Sequence, residues 1–562
     1  MFFLKYPKII INLGNYYNNI FFIVPIILIF SSIEALLTSI SLTTLFPIFN
    51  QIINDGNNSE NFFFDFFNVD SNKLIIIFSL LIIFKALITI LRKLLSISLS
   101  ENLRTNLHTG ITKSVLRMRF EIINSFKRGV LLENMSRNTD STAMLLLRLT
   151  NLFTEVLMII FLVITSLYLN WKITIFFIII ATILYFLIGK KYINISKVFG
   201  KQKVEEEQNL THILSSYILN IKEIFLLNAD NFFIRKVRDK SDLLKLIRIK
   251  NKFFAFIPKP LIEFGIGLLL LTFFLIFNDF EVFKKYLPSL ILIFALSYKL
   301  FNSALNFTSE LYKIENMIYA YENILKVFNL ENKLNEDKKS EITRNKTFKK
   351  NIVFKKIYFS FNSRSGGQKV SVLKDFNFSI KKGSLSLIHG PSGSGKTTIL
   401  DLLVKLYKPD SGSIEIDGKN INKIETTKIR NLIGYVTQNC SIFNADLIEN
   451  IVLNNSVVDK KIKDIIDLCN LKKLQKVKNI LIDGGKNLSG GEIKKIALAR
   501  ALYNEPEVLF IDETLTSIEE TFELEVLNKL KLKGLTIVII SHRDSTMKLV
   551  DNIIYMNKKN SK

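Results

Sequence analysis

Two regimes of hydrophobic patterning divide the chain. Before about residue 310, apolar runs reach the length that crosses a bilayer, about 20 residues. They begin near Ile20, Leu74, Ala143, Ile173, Phe256 and Leu287, which predicts about six spanning helices. From Ile352 onward, short β-branched runs alternate with helical segments, the pattern of an α/β domain. Between the two regimes, Asn329 to Asn351 is polar and lysine-rich and reads as a connector. The expected division is a transmembrane domain over 1–325, a linker over 326–350 and a second domain over 351–562.

The segments after the second and fourth runs keep helical periodicity far beyond membrane length, through Ile90 to Asp140 and Gly189 to Lys252. They carry Arg104, Lys113, Arg117 and Arg119 in one and Lys190, Lys191, Lys197 and Lys201 in the other. The loop from Asp55 to Lys73 carries Asp55, Glu60, Asp65 and Asp70 instead. Cytosolic segments are enriched in Lys and Arg, so both long connections and both termini are expected in the cytosol. Met1 to Tyr17 lacks a small-residue cleavage site and is expected to lie along the membrane surface.

Charge adds little to this picture. The net charge of +25 is dispersed among acids and hydrophobes, not gathered in a stripe, so nucleic acid is not an expected partner. The two cysteines, Cys440 and Cys469, form no disulfide framework or zinc-like spacing and are expected as reduced thiols. Glu34 and Lys85 fall near the middle of the first two runs, where charge is costly. A Glu34–Lys85 ion pair and two independent cavity-facing charges both satisfy that pattern. Glu263 follows Pro258, Lys259 and Pro260, which disturb a helix start; it reads either as a substrate-facing carboxylate or as a cap on that helix. Pro25 and Pro288 read as kink or entry residues.

The second domain carries the chemistry. Gly390-Pro391-Ser392-Gly393-Ser394-Gly395-Lys396-Thr397-Thr398 follows the apolar strand Ser384 to Ile388 and opens a helix. The glycines let backbone N–H groups point inward around phosphate oxygens, and the helix N-terminus adds a favourable dipole. Lys396 can neutralise the β- and γ-phosphates, and Thr397 can offer its hydroxyl to Mg²⁺. Val508 to Glu513 is an apolar strand ending in two carboxylates. There Asp512 can hold Mg²⁺ and Glu513 can act as general base on the attacking water. The fold class implied is multidomain: an all-α six-helix transmembrane domain followed by an α/β P-loop nucleotide-binding domain, with ATP and Mg²⁺ as cofactors.

Together with Leu488-Ser489-Gly490-Gly491-Glu492, these motifs resemble those of ATP-binding cassette exporters, and the resemblance covers essentially the whole chain. It implies that Phe361 stacks on adenine, where tyrosine is usual, and that Gln438 senses Mg²⁺ and the membrane domain. It implies that Asp483 touches the partner's cytosolic helices and that His542 contacts the γ-phosphate, with Glu513, His542 and Lys396 catalytic. Ser489, Gly490 and Gly491 would meet the nucleotide of a second half-transporter chain, a homodimer being favoured. Phe120 to Phe126 and Leu219 to Phe225 would dock on the nucleotide domains. Glu492 stands where glutamine is usual and is expected to change little. Thr516-Ser517-Ile518-Glu519 departs from the usual loop, and the stretch from Gln438 to Leu488 is short for the family.

A membrane domain that precedes the ATPase implies export, here from a bacterial inner membrane. Pro258 to Glu263 and Asn220-Ile-Lys-Glu-Ile224 are similar to flippases of lipid-linked oligosaccharides, which implies an amphipathic substrate. A peptide or multidrug exporter and an ATP-gated regulatory membrane protein are the alternatives.

Overall fold

The computed structural model describes residues 2–45, 48, 71–126, 128–169, 171, 190–256, 260, 280–334, 348–362, 369–453, 457–476, 485–513, 518–541 and 543–556. The chain forms two compact units. The first comprises Met1–Met118 and Phe126–Lys333, and the second comprises Arg119–Ser125 and Leu334–Lys562.

The helices up to residue 334 are α1 (Phe2–Gly14), α2 (Ile20–Thr43), α3 (Ser71–Arg117), α4 (Phe120–Ser125), α5 (Arg128–Glu133), α6 (Thr139–Leu169), α7 (Lys190–Leu219), α8 (Ile221–Leu226), α9 (Asp230–Phe256) and α10 (Phe280–Leu334). All but α4 belong to the first unit. Three stretches among the described residues are long and apolar enough to cross a membrane: Ile20–Thr43, Ile75–Arg117 and Gly129–Tyr168. They match the first three expected spans. The fourth and fifth, and Glu263 with them, fall largely outside the described residues; the sixth expected span begins within α10.

With 47 residues, α3 is one unbroken helix, about 70 Å long at 1.5 Å per residue. That is twice a bilayer core, as its continuous periodicity predicts. Its apolar side chains Ile75, Ile76, Leu80, Ile83 and Leu87 are exposed, the surface that a helix presents to lipid. The opposite side packs on α2 and α6. Hydroxyls along α2 return to its own carbonyls, as Ser31 does to Ile27 (2.8 Å) and Thr38 to Glu34 (2.7 Å), so no donor is stranded in an apolar setting.

Glu34 does not pair with Lys85. Its Oε2 accepts from Arg92 Nε at 2.7 Å, and both side chains are buried. Arg92 also reaches Thr154 Oγ1 at 3.3 Å, and Thr154 lies 2.9 Å from Ser31 Oγ. Lys85 and Arg92 are seven residues apart and so share one face of α3. The α2–α3 crossing selects the more buried cation and satisfies it from two helices, α2 and α6.

The second unit holds two sheets. An antiparallel one has the strand order β2-β1-β4-β5, with β1 at Asn351–Asn362, β2 at Lys369–Lys381, β4 at Ser411–Ile416 and β5 at Lys419–Asn420. A parallel one has the order β6-β7-β8-β3-β9, with β3 at Leu385–His389, β6 at Ile433–Val436, β7 at Val508–Asp512, β8 at Thr536–Ile540 and β9 at Asn552–Tyr555. All of β7 and β8 is buried, which explains why both read as continuous apolar runs instead of alternating ones. Two helices matter to the site. They are α11 (Lys396–Leu403), which follows β3, and α12 (Gly490–Tyr503), which precedes β7.

Candidate nucleotide site

The loop between β3 and α11 begins where a parallel strand ends, the position at which open α/β sheets bind ligands. Gly393 and Gly395 have φ of +80° and +92°, and Gly395 caps α11 in the left-handed region. A side chain at either would be strained. At Gly395 a Cβ would also come within 2.9 Å of Val372. Among the described residues, Ser394 Oγ is buried without a hydrogen-bond partner. Lys396 Nζ, itself buried, donates to the carbonyls of Gly390 (2.7 Å) and Pro391 (3.3 Å). A cation folded back on its own loop, an orphan hydroxyl and a strained glycine turn fit a bound phosphate chain.

β7 delivers the acids. Asp512 is buried and accepts from Thr397 Oγ1 at 2.8 Å. Glu513 lies one residue beyond the strand with φ of +48°, a conformation costly for a non-glycine residue and common where function demands a particular orientation. One of its oxygens lies 3.6 Å from Lys396 Nζ and the other accepts from Gln438 Nε2 at 2.8 Å. Lys396, Thr397, Gln438, Asp512 and Glu513 are therefore brought together by three separate elements. Thr397 and Asp512 supply the oxygens that could hold Mg²⁺, which fills its remaining positions with phosphate and water.

Asp401, one turn into α11, adds a third carboxyl. Burial, and then the charge of Asp512, push it up to about 6. Burial raises Asp512 too, opposed by the hydrogen bond from Thr397. Tyr435 of β6 hydrogen-bonds Asp512, and its own phenol is raised by burial and by the two acids.

Phe361 lies at the end of β1, half-buried, with its ring edge-on to Tyr407 at 5.3 Å and to Phe359 at 4.9 Å. Tyr407 also meets Phe120 of α4 at 5.8 Å, and its hydroxyl accepts from Asn124 at 2.9 Å. Lys408 N donates to Glu121 at 3.2 Å. Of the segment Phe120 to Phe126 expected to dock on the nucleotide domain, Phe120, Glu121 and Asn124 make these contacts within the second unit, while Phe126 and α8 belong to the first.

Ser489 caps α12 and is exposed with Gly490. His542, Asp483 and Thr516-Ser517 lie outside the described residues, whereas Ile518 and Glu519 are described.

Two family descriptions match the chain: "ABC transporter transmembrane region" over residues 21–305 and "ABC transporter" over residues 373–516. The first alone covers half of the sequence. The chain belongs to the ABC transporters. Over 553 residues it is 26% identical to an export ATP-binding/permease protein of Rickettsia typhi, covering 94% of this chain and 92% of that one. It is 23% identical over 474 residues to a multidrug resistance ABC transporter of Lactococcus lactis, covering 82% and 78%. The solved structure of a bacterial Atm1-family ABC exporter with ATP bound aligns with a TM-score of 0.77 at 18% identity, over 94% of this chain and 92% of that chain, which shows a shared fold. The transporter is accordingly an ATPase-coupled exporter.

Sequence reasoning did not single out Asp401, Tyr435 or Tyr407. Asp401 and Tyr407 lie in no motif, and Tyr435 opens the Tyr435-Val-Thr-Gln438 string in which only Gln438 carries an expected role; packing brings all three to the site.

Proposed function

We propose that the transporter works as one half of a homodimer that exports or flips an amphipathic substrate with a charged head, a lipid or lipid-linked saccharide, across a bacterial inner membrane. The observation that carries this is a mixed-charge band inside the first unit. Beside the Glu34–Arg92 pair, Glu155 accepts from Asn306 at 3.1 Å and lies within Coulombic reach of Lys299. Lys85 and Lys299 are near enough to repel each other, and among the described residues neither has an ion-pair partner. Among the described residues, Lys85 and Lys299 have acids in Coulombic reach, Glu34 and Glu155, without being paired to them, and two such cations in a membrane domain suit an anionic head group.

In the second unit, ATP would be held by the Gly390–Thr398 loop and Phe361, Mg²⁺ by Thr397, Gln438 and Asp512, and the attacking water by Glu513, with His542 at the γ-phosphate. Ser489, Gly490 and Gly491 would close on the nucleotide of the second copy. Mg²⁺ would offset charge developing on the phosphoryl oxygens.

The test is ATPase activity of the purified protein in lipid nanodiscs. Stimulation by lipid-linked saccharides or anionic lipids, lost in the Lys85→Ala/Lys299→Ala double variant, is the expected result. Stimulation only by hydrophobic cations would instead favour the multidrug resistance for which the L. lactis relative is named, and stimulation only by peptides would favour a peptide exporter.

A further inference from the structure

Ser489 and Glu492 face each other across the first turn of α12. The Ser489 hydroxyl lies 2.7 Å from Glu492 Oε2, and the same oxygen accepts from Ser489 N at 2.8 Å. Glu492 N in turn donates to Ser489 Oγ at 3.3 Å. This is a reciprocal capping box with a carboxylate in it, so two of its bonds are charge-assisted. Those bonds from Ser489 hold the Glu492 carboxyl below its ordinary range, and it is an anion at neutral pH.

The neighbouring glycines supply a second observation. Neither Gly490 nor Gly491 has left-handed backbone, and a Cβ added to either meets nothing within 4 Å. Each glycine costs about 1 kcal/mol in a helix relative to alanine. Packing against the described residues gives no return for that cost. What bare backbone permits is the close approach of an outside anion to the first N–H groups of the helix.

We propose that Glu492 is a built-in competitor for Ser489, holding the hydroxyl proton that a phosphate oxygen of the second copy's ATP would accept and repelling that phosphate. The inference rests on the composite-site reading above and goes beyond it. ATP-driven closure is then weaker in this transporter than a neutral amide at the same position would allow. Glutamine preserves the cap, because its carbonyl oxygen accepts from Ser489 N as the carboxylate does, so Glu492→Gln changes charge while keeping the helix start.

The experiment measures ATPase activity against MgATP for the full-length protein in nanodiscs, wild type beside Glu492→Gln and Ser489→Arg. For Glu492→Gln the expected half-saturating ATP falls by about three- to ten-fold at low salt. The gap should narrow as ionic strength screens the repulsion, and the melting temperature should fall by no more than about 2 °C, because the amide keeps the cap and loses only its charge assistance. A structural role for Glu492 alone would move the melting temperature further than that and not the salt dependence. An unchanged or higher half-saturating ATP overturns the inference. If Ser489→Arg abolishes hydrolysis while Glu492→Gln has no effect, the inference alone falls. If Ser489→Arg hydrolyses normally, the composite-site reading falls with it.

Discussion

Glu513 sits at the most constrained point of the site. Its backbone occupies the left-handed region, and its carboxylate bridges Lys396 and Gln438, so its position is set by three elements at once. Glu513→Gln keeps the shape and removes the base. Steady hydrolysis should fall by about 100-fold or more, while binding of a fluorescent ATP analogue stays within about two-fold; retained hydrolysis would remove Glu513 from the catalytic role. Asp401 gives a pH-dependent prediction. Its carboxyl rises from 3.8 to about 6 on folding, so the folded state binds the proton more tightly. The stability this group contributes is complete below about pH 4 and is lost as pH rises through 6. Asp401→Asn should therefore raise the melting temperature of the Mg²⁺-free protein at pH 7.5 by about 2–4 °C, with a smaller gain at pH 4.5. An equal gain at both pH values would mean that ionisation is not the cause. Lys396, Asp512 and Glu513 were legible because each sits in a contiguous run of its own, the glycine-rich loop in one case and an apolar strand ending in two acids in the other. Asp401 was not, since which face of α11 meets β7 is decided by packing of the helix on the sheet.

Among the elements, α4 is the shortest with a consequence. Within the second unit its six residues reach Tyr407 and Lys408 through Phe120, Glu121 and Asn124, and Tyr407 in turn backs Phe361. Removing the ring with Tyr407→Ala should raise half-saturating ATP several-fold and lower the ratio of substrate-stimulated to basal ATPase activity. Tyr407→Phe, which loses only the bond from Asn124, should affect the ratio alone. If both variants leave the ratio intact, α4 docking does not carry the signal. The long helices were readable from periodicity, and α3 shows it in full. Their ion-pair choice was not, because helix crossing geometry decides whether Lys85 or Arg92 meets Glu34. Glu34→Gln strands a buried guanidinium and should cost about 3–5 kcal/mol, seen as a large drop in thermal stability in detergent. Lys85→Gln should cost little. The reverse ranking would reinstate Lys85 as the partner.

At the scale of the whole molecule, the second unit holds both a phosphate loop and an exposed, glycine-bared α12 start that, among the described residues, no side chain of its own chain fills. If each ATP is shared between two copies, defects in the two features should complement when placed in different chains. A Lys396→Ala chain paired with a Ser489→Arg chain makes one site with both defects and one with neither. Were each site built within one chain, both would be defective. Separately tagged chains, co-purified as the mixed pair, are expected to trap about one nucleotide per dimer with vanadate and Mg²⁺, whereas either variant paired with itself traps almost none. Trapping at the background level in the mixed pair would show that the two features act within a chain, and the requirement for a dimer would go with it. The count also bears on Glu492. Adding Glu492→Gln to the Lys396→Ala chain places the neutral amide beside the one intact site, and the ATP needed to trap there should fall. Adding it to the Ser489→Arg chain touches only the defective site and should change nothing, so the position of the effect, as well as its size, reports which chain's phosphate Glu492 opposes.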